Sequence, residues 1–138
     1  MFESLNLKGC VMRSKKFALI FCSFFVLSLP AAQAEQTLDT CLEQAANTTG
    51  MAKCTVSAYQ VTDKRLNSLY QAVLQNQDAK GKKSLLNAQL AWLKFRDAHC
   101  GFLTERLTGD DKKYLLNRCL NQLTEERNGH LNEMLISP

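Results

Sequence analysis

The sequence predicts an all-α domain: a small antiparallel bundle of one short and three longer helices, stapled by two disulfides. Three observations carry this expectation. Beyond residue 34, apolar residues recur at spacings of three and four, the pattern of amphipathic helices. The single proline in that stretch is Pro138, at the chain terminus, so no proline interrupts a helix. Four cysteines, Cys41, Cys54, Cys100 and Cys119, lie in the same stretch. An even number in a short exported chain reads as a disulfide framework.

Export is read from the opening residues. Arg13-Ser14-Lys15-Lys16 is basic, Phe17 to Leu29 is apolar apart from Ser23 and Ser28, and Ala32-Gln33-Ala34 closes the segment. A basic start, a short apolar core and an A-x-A ending form a secretory signal peptide. The core is shorter than the roughly 20 apolar residues a spanning helix needs. Cleavage near Ala34 leaves residues 35–138 as one helical domain, with Met12 as a second possible start. The bulky Phe21 before Cys22 argues against a lipid anchor. The expected destination is the periplasm or the exterior, with no membrane span in the processed protein.

Charge changes with that removal. The full chain stands at +4, and residues 1–34 hold Lys8, Arg13, Lys15 and Lys16 against Glu3, leaving the remainder near +1. A nearly neutral domain does not argue for nucleic acid.

The first helix is expected over about Leu38–Ala46, with Thr37 as its N-cap. The turn Asn47-Thr48-Thr49-Gly50 follows, with Thr49 able to cap a second helix over Met51–Gln77. Its inward positions would be Cys54, Ala58 or Tyr59, Thr62 or Asp63, Leu66, Leu69 or Tyr70, and Val73. Asp78 caps a third helix running through Leu86, Gln89, Leu93, Arg96 and Cys100. Thr108-Gly109-Asp110-Asp111 forms the last turn. The fourth helix carries Leu116, Leu120, Leu123, Arg127, Leu131 and Leu135, with a kink possible at Gly129.

Short turns imply antiparallel neighbours, and level residues in such a hairpin have numbers that add to a constant. Folding the second and third helices about Ala79 sets Leu66 level with Leu93, Leu69 with Leu90, and Val73 with Leu86. Tyr70 then meets Gln89, Asp63 meets Arg96, and Tyr59 meets Cys100. The same test about the flanking turns sets Cys41 level with Cys54, and Cys100 level with Cys119. Bridged Cα atoms lie within about 7 Å, so these two pairings are expected. Zinc fits poorly, because no C-x-x-C occurs and no histidine stands at ligand spacing from a cysteine.

No catalytic constellation is legible. His99 and His130 are the only histidines, and neither H-E-x-x-H nor G-x-S-x-G occurs. Asp97 and His99 point apart on a helix. Asp110-Asp111 and Glu125-Glu126 read as a helix start and a solvated face. No cofactor or metal is expected. Lys80, Lys82 and Lys83 read as a solvated first turn or, since a helix start prefers acids, as a basic tip that could enter an acidic cleft. Trp92 reads as core, or as a recognition surface if partly exposed beside Arg96 or Arg127.

A longer pattern runs through the chain. Cys41 and Cys54 lead to Asp63-x-x-Leu66-Asn67-x-x-Tyr70. Then comes Leu86-x-x-Gln89-x-x-Trp92-x-x-x-Arg96-Asp97-Ala98-x-Cys100, and finally Cys119-x-x-x-x-Thr124-x-x-Arg127-x-x-x-Leu131. This resembles the LprI-type lysozyme inhibitor domain, a family of small secreted bacterial helical proteins. The resemblance covers nearly all of the chain beyond the signal. It implies a helical fold and a protein partner, a lysozyme, blocked without chemistry of the inhibitor's own. The pattern residues Asp63, Asn67, Tyr70, Gln89, Trp92, Arg96, Asp97, Thr124 and Arg127 read as a structural network, because polar groups in one seam need partners. The alternative function is a helical module binding another envelope protein or component, marked by an exposed apolar patch.

Overall fold

The computed structural model describes residues 37–136. The expected signal peptide, the alternative start at Met12 and Pro138 lie outside the described residues. Four helices make up the domain: α1 (Leu38–Gln44), α2 (Thr48–Gln75), α3 (Ala79–Leu103) and α4 (Gly109–Ile136). No strand occurs among the described residues.

Caps set the helix starts. The Thr37 hydroxyl accepts from the Thr40 N–H, and the Asp78 carboxylate accepts from the Gly81 N–H at 2.7 Å. Each satisfies an orphan donor of the first turn. The cap of α2 is Asn47 rather than Thr49: its Oδ1 accepts from the Gly50 N–H at 2.9 Å. The helix therefore begins three residues earlier than the periodicity suggested. Asn and Thr are both good caps, and the Thr49 hydroxyl is used elsewhere, donating to Asp110 at 2.6 Å. Gly109 opens α4 with φ +61°, a left-handed conformation that costs a side chain dearly. α4 then runs as one helix through Gly129.

Both disulfides form as the level test requires. Cys41 bridges Cys54 and Cys100 bridges Cys119, each with Cα atoms 5.7 Å apart.

The helix neighbours differ from the expected hairpin series in one respect. α2 lies closest to α4 along its length, not to α3. The two run parallel: Thr49 meets Asp110, Thr62 meets Asn121, and the Asn128 amide reaches the Thr62 carbonyl. Small or short side chains line this contact, with Ala52, Thr55 and Thr62 buried on α2 and Asn121, Thr124 and Asn128 on α4. Such residues let backbones approach closely. α3 runs antiparallel to both. It stands farther out because Trp92 and Arg96 fill the space between, against Tyr59 of α2 and Arg127 of α4.

That spacing corrects two of the expected pairs. Leu86 and Leu90 do not face Val73 and Leu69; they are 46% and 55% exposed. α3 instead buries Gln89, Arg96 and Cys100. Leu66, Val73 and Leu131 form the apolar core, with Leu69, Tyr70, Leu85, Trp92 and Leu135 packed around it.

Candidate functional site

The polar pattern residues converge where α3 crosses α2 and α4. Arg96 is at the centre and only 5% exposed. Its Nε donates to Asp97 Oδ1 at 2.9 Å, and its Nη1 to Asp63 Oδ1 at 3.4 Å and Thr124 Oγ1 at 3.2 Å. The Thr124 hydroxyl in turn donates to the Leu120 carbonyl at 2.7 Å. Asn67 steadies Asp63 from one turn on, its Nδ2 donating to the Asp63 carbonyl at 3.0 Å. A buried guanidinium demands this kind of partnering, since an unpaired buried charge is strongly destabilising.

Two cations approach the rings of Trp92. The Arg96 guanidinium sits 5.1 Å from one of its ring centroids and that of Arg127 at 5.9 Å. Arg127 Nε donates to Gln89 Oε1 at 3.1 Å, which ties α4 to α3. Burial pushes the Arg127 pKa below the usual arginine value. Trp92 packs half-buried against the core and remains partly exposed beside both arginines, so both of its expected readings apply. Tyr70 belongs to the apolar core cluster.

The sequence placed Tyr59 and Thr62 only as alternative inward positions of α2, without partners, and did not mark Asn121 or Asn128 at all. The Tyr59 ring stacks beneath Arg96 at 5.5 Å, and its hydroxyl reaches toward Asp63 Oδ1 at 3.5 Å. Burial raises its pKa, against an opposing pull from Arg96. Thr62 links α2 to α4, donating to Asn121 Oδ1 at 2.7 Å while its carbonyl accepts from Asn128. Asn121 passes the chain on to Glu125 at 2.9 Å. Thr55, Thr62 and, on α4, Asn121 and Asn128 recur at intervals of seven. That heptad spacing was the available signal for a polar seam.

The basic turn lies apart from this network. Lys80, Lys82 and Lys83 are all exposed in the first turns of α3. At the opposite end, the Thr49 hydroxyl and nearby Lys113 hold the Asp110 carboxyl below its usual range.

Chemically, the network pairs and holds charge across the three long helices. His99 stacks on Phe95 at 5.5 Å, while Asp97 is taken by Arg96. The pair does not form a dyad. Among the described residues no group of three or more His, Cys, Asp or Glu side chains is placed to hold a metal, and no helix is long and apolar enough to cross a membrane. An open groove lies beside the Cys41–Cys54 bridge, lined by Leu38, Ala58, Val61 and Thr62 with Glu125 at its edge.

These features define a disulfide-stapled helical domain whose buried polar residues join its helices. Residues 41–131 match the family model described as lysozyme inhibitor LprI. The chain belongs to the LprI family. It is also 35% identical over 85 residues to an uncharacterized protein of Rhizobium meliloti (strain 1021), a match covering 59% of this chain and 56% of that protein. The chain thus spans little more than half the length of that relative. No solved structure matches it.

Proposed function

We propose that this protein is a secreted or periplasmic inhibitor that binds a lysozyme and blocks its cleft without chemistry of its own. The observation that carries this reading is family membership over residues 41–131. The proposal includes residues 1–34 as a cleaved signal peptide, which delivers the domain to a compartment where both disulfides persist. Because Arg96 itself is buried and fully engaged within the fold, contact with a partner falls to exposed residues.

Lys80, Lys82 and Lys83 are the proposed contact, exposed where α2 turns into α3. Lysozymes cleave with two carboxylates flanking the scissile bond. A lysine-bearing turn complements such a cleft by charge, and a cleft occupied by the turn cannot take substrate. The test is titration of the oxidised protein into cell-wall lysis assays with chicken-type, goose-type and invertebrate-type lysozymes. Stoichiometric inhibition of one class is expected, lost on full reduction. The Lys82→Glu, Lys83→Glu double variant should weaken it by at least about tenfold, about 1.4 kcal/mol. No inhibition of any class at micromolar excess removes the reading.

The exposed apolar residues of α3 favour a second reading, a helical module that docks on another envelope protein. Failure of every lysozyme class would bring it forward.

A further inference from the structure

α3 is built inside out. It buries Gln89 and Arg96 while leaving Leu86, Leu90, Phe95, Phe102 and Leu103 between 46% and 75% exposed. Within that exposed surface one row is regular. Ser84, Ala88, Ala91, Phe95, Ala98 and Phe102 follow one another at alternating steps of four and three, and every one is exposed. Alternating steps of four and three are the seam along which two helices pack knobs into holes. The row lies one residue before Leu85, Gln89, Trp92 and Arg96, the row that faces the body of the domain. One residue is about 100° around a helix, so the two rows face different ways. Among the described residues, the outer row has no helix packed on it.

From this row we infer a docking surface for a second copy of the same chain, paired antiparallel through α3. Shape argues for it. One heptad position is small throughout (Ser84, Ala91, Ala98), and the other becomes aromatic (Ala88, Phe95, Phe102). A parallel pair would stack phenylalanine on phenylalanine and leave alanine facing alanine across a gap. An antiparallel pair instead sets Phe95 level with Ala98 of the second copy. The same register sets Phe102 level with Ala91. Each ring then has a small residue opposite it, on both sides of the two-fold axis, which is what a self-complementary interface requires.

Charge and area agree with this occupant. The row contains no ionisable side chain, so two copies meet without like charges in the seam. With an aromatic side chain at about 200 Å², the two phenylalanines and three alanines leave on the order of 400 Å² of apolar surface exposed. A standard interface buries about 800 Å² on each partner, about 60% of it apolar. The seam supplies most of that apolar share.

The test is sedimentation equilibrium of the full-length chain, purified as the cell processes it, from 1 to about 500 μM, a range that brackets weak homodimers. A monomer–dimer equilibrium is expected. Phe95→Lys and Phe102→Lys should each weaken it at least tenfold with an unchanged circular dichroism spectrum, since both side chains are already exposed. Leu90→Lys, off the row, should leave it within twofold. Mixing a Phe95→Cys protein with an Ala98→Cys protein under mild oxidation should give a crosslinked dimer that neither gives alone. A monomer at every concentration overturns the inference, as does a dimer indifferent to both phenylalanine substitutions. If the chain is monomeric and Phe102→Lys abolishes lysozyme binding, the seam belongs to the lysozyme instead.

Discussion

Arg96 shows most directly how single residues divide the work. It touches all three long helices, through Asp63, Thr124 and its own neighbour Asp97. Replacing Arg96 with alanine should lower unfolding stability by about 3 kcal/mol, chiefly because a cavity opens beside Trp92 and Tyr59. Arg96→Met should cost less than half as much, since it refills the volume and Asp63 is 37% exposed, open enough to recover water. Urea titrations followed by Trp92 fluorescence measure both. A Met variant as weak as the Ala variant would show that the charge itself is indispensable. Asn128 makes the opposite case. Its amide donates to the Thr62 carbonyl, but its buried Oδ1 has no partner. The carbonyl can only accept, which fixes the amide's orientation. An orphan acceptor costs about 1–3 kcal/mol, so Asn128→Ala should destabilise clearly less than Asn121→Ala, whose amide and carbonyl are both paired. The Asp63–Arg96 pair was legible from the turn position and helical spacing. The Thr62–Asn121–Asn128 chain was not: Thr62 stood only as an alternative inward position, and short polar residues such as Asn121 and Asn128 look like surface residues until a second helix covers them.

Among the elements, α1 and α3 depend on their disulfides differently. α1 has seven residues, buries none and, among the described residues, packs on α2 alone. A helix that short is not stable alone, so the Cys41–Cys54 bridge holds it in place. Cys41→Ala with Cys54→Ala should release α1, giving fast amide exchange over residues 38–44. The urea midpoint of the remaining three helices should change little, because the bridge can contribute no more than α1's own docking. Cys100–Cys119 joins two core helices across 19 residues. Its removal should cost about 3 kcal/mol of global stability. Equal losses for the two double variants would contradict this division. Helix existence, three of the caps' neighbourhoods and both bridges were legible because each depends on local spacing around a turn. The contact between α2 and α4 was not. They are parallel and separated by the whole of α3, so no hairpin register links them. Only the small side chains that permit their approach mark the contact, and small side chains have many other uses.

For the whole molecule, stability rests on a thin apolar core, with Leu66, Val73 and Leu131 its fully buried members, supplemented by polar links and two covalent ones. Two groups tie that stability to pH, one at each end of the range. Asp110 has its carboxyl pKa lowered from 3.8 by the Thr49 hydroxyl. Its contribution is present above that unfolded value and is lost as pH falls through the lower folded one. Asp110 is at the surface, so this limb is shallow. Tyr59 has the opposite sign. Burial raises its phenol above 10.0, so folding favours the neutral form. That contribution is complete below pH 10, where the phenol is neutral in both states. Above it the unfolded phenol ionises first, and stability falls until the folded pKa is passed. The expected result is that wild type and Tyr59→Phe keep a constant difference in urea midpoint from pH 6 to pH 9.5. Above pH 10 wild type should then lose ground to the variant. Parallel curves throughout would mean that the Tyr59 hydroxyl reaches water in the folded protein. The ring beneath Arg96 would then be a packing surface alone, and the network would close at Asp63.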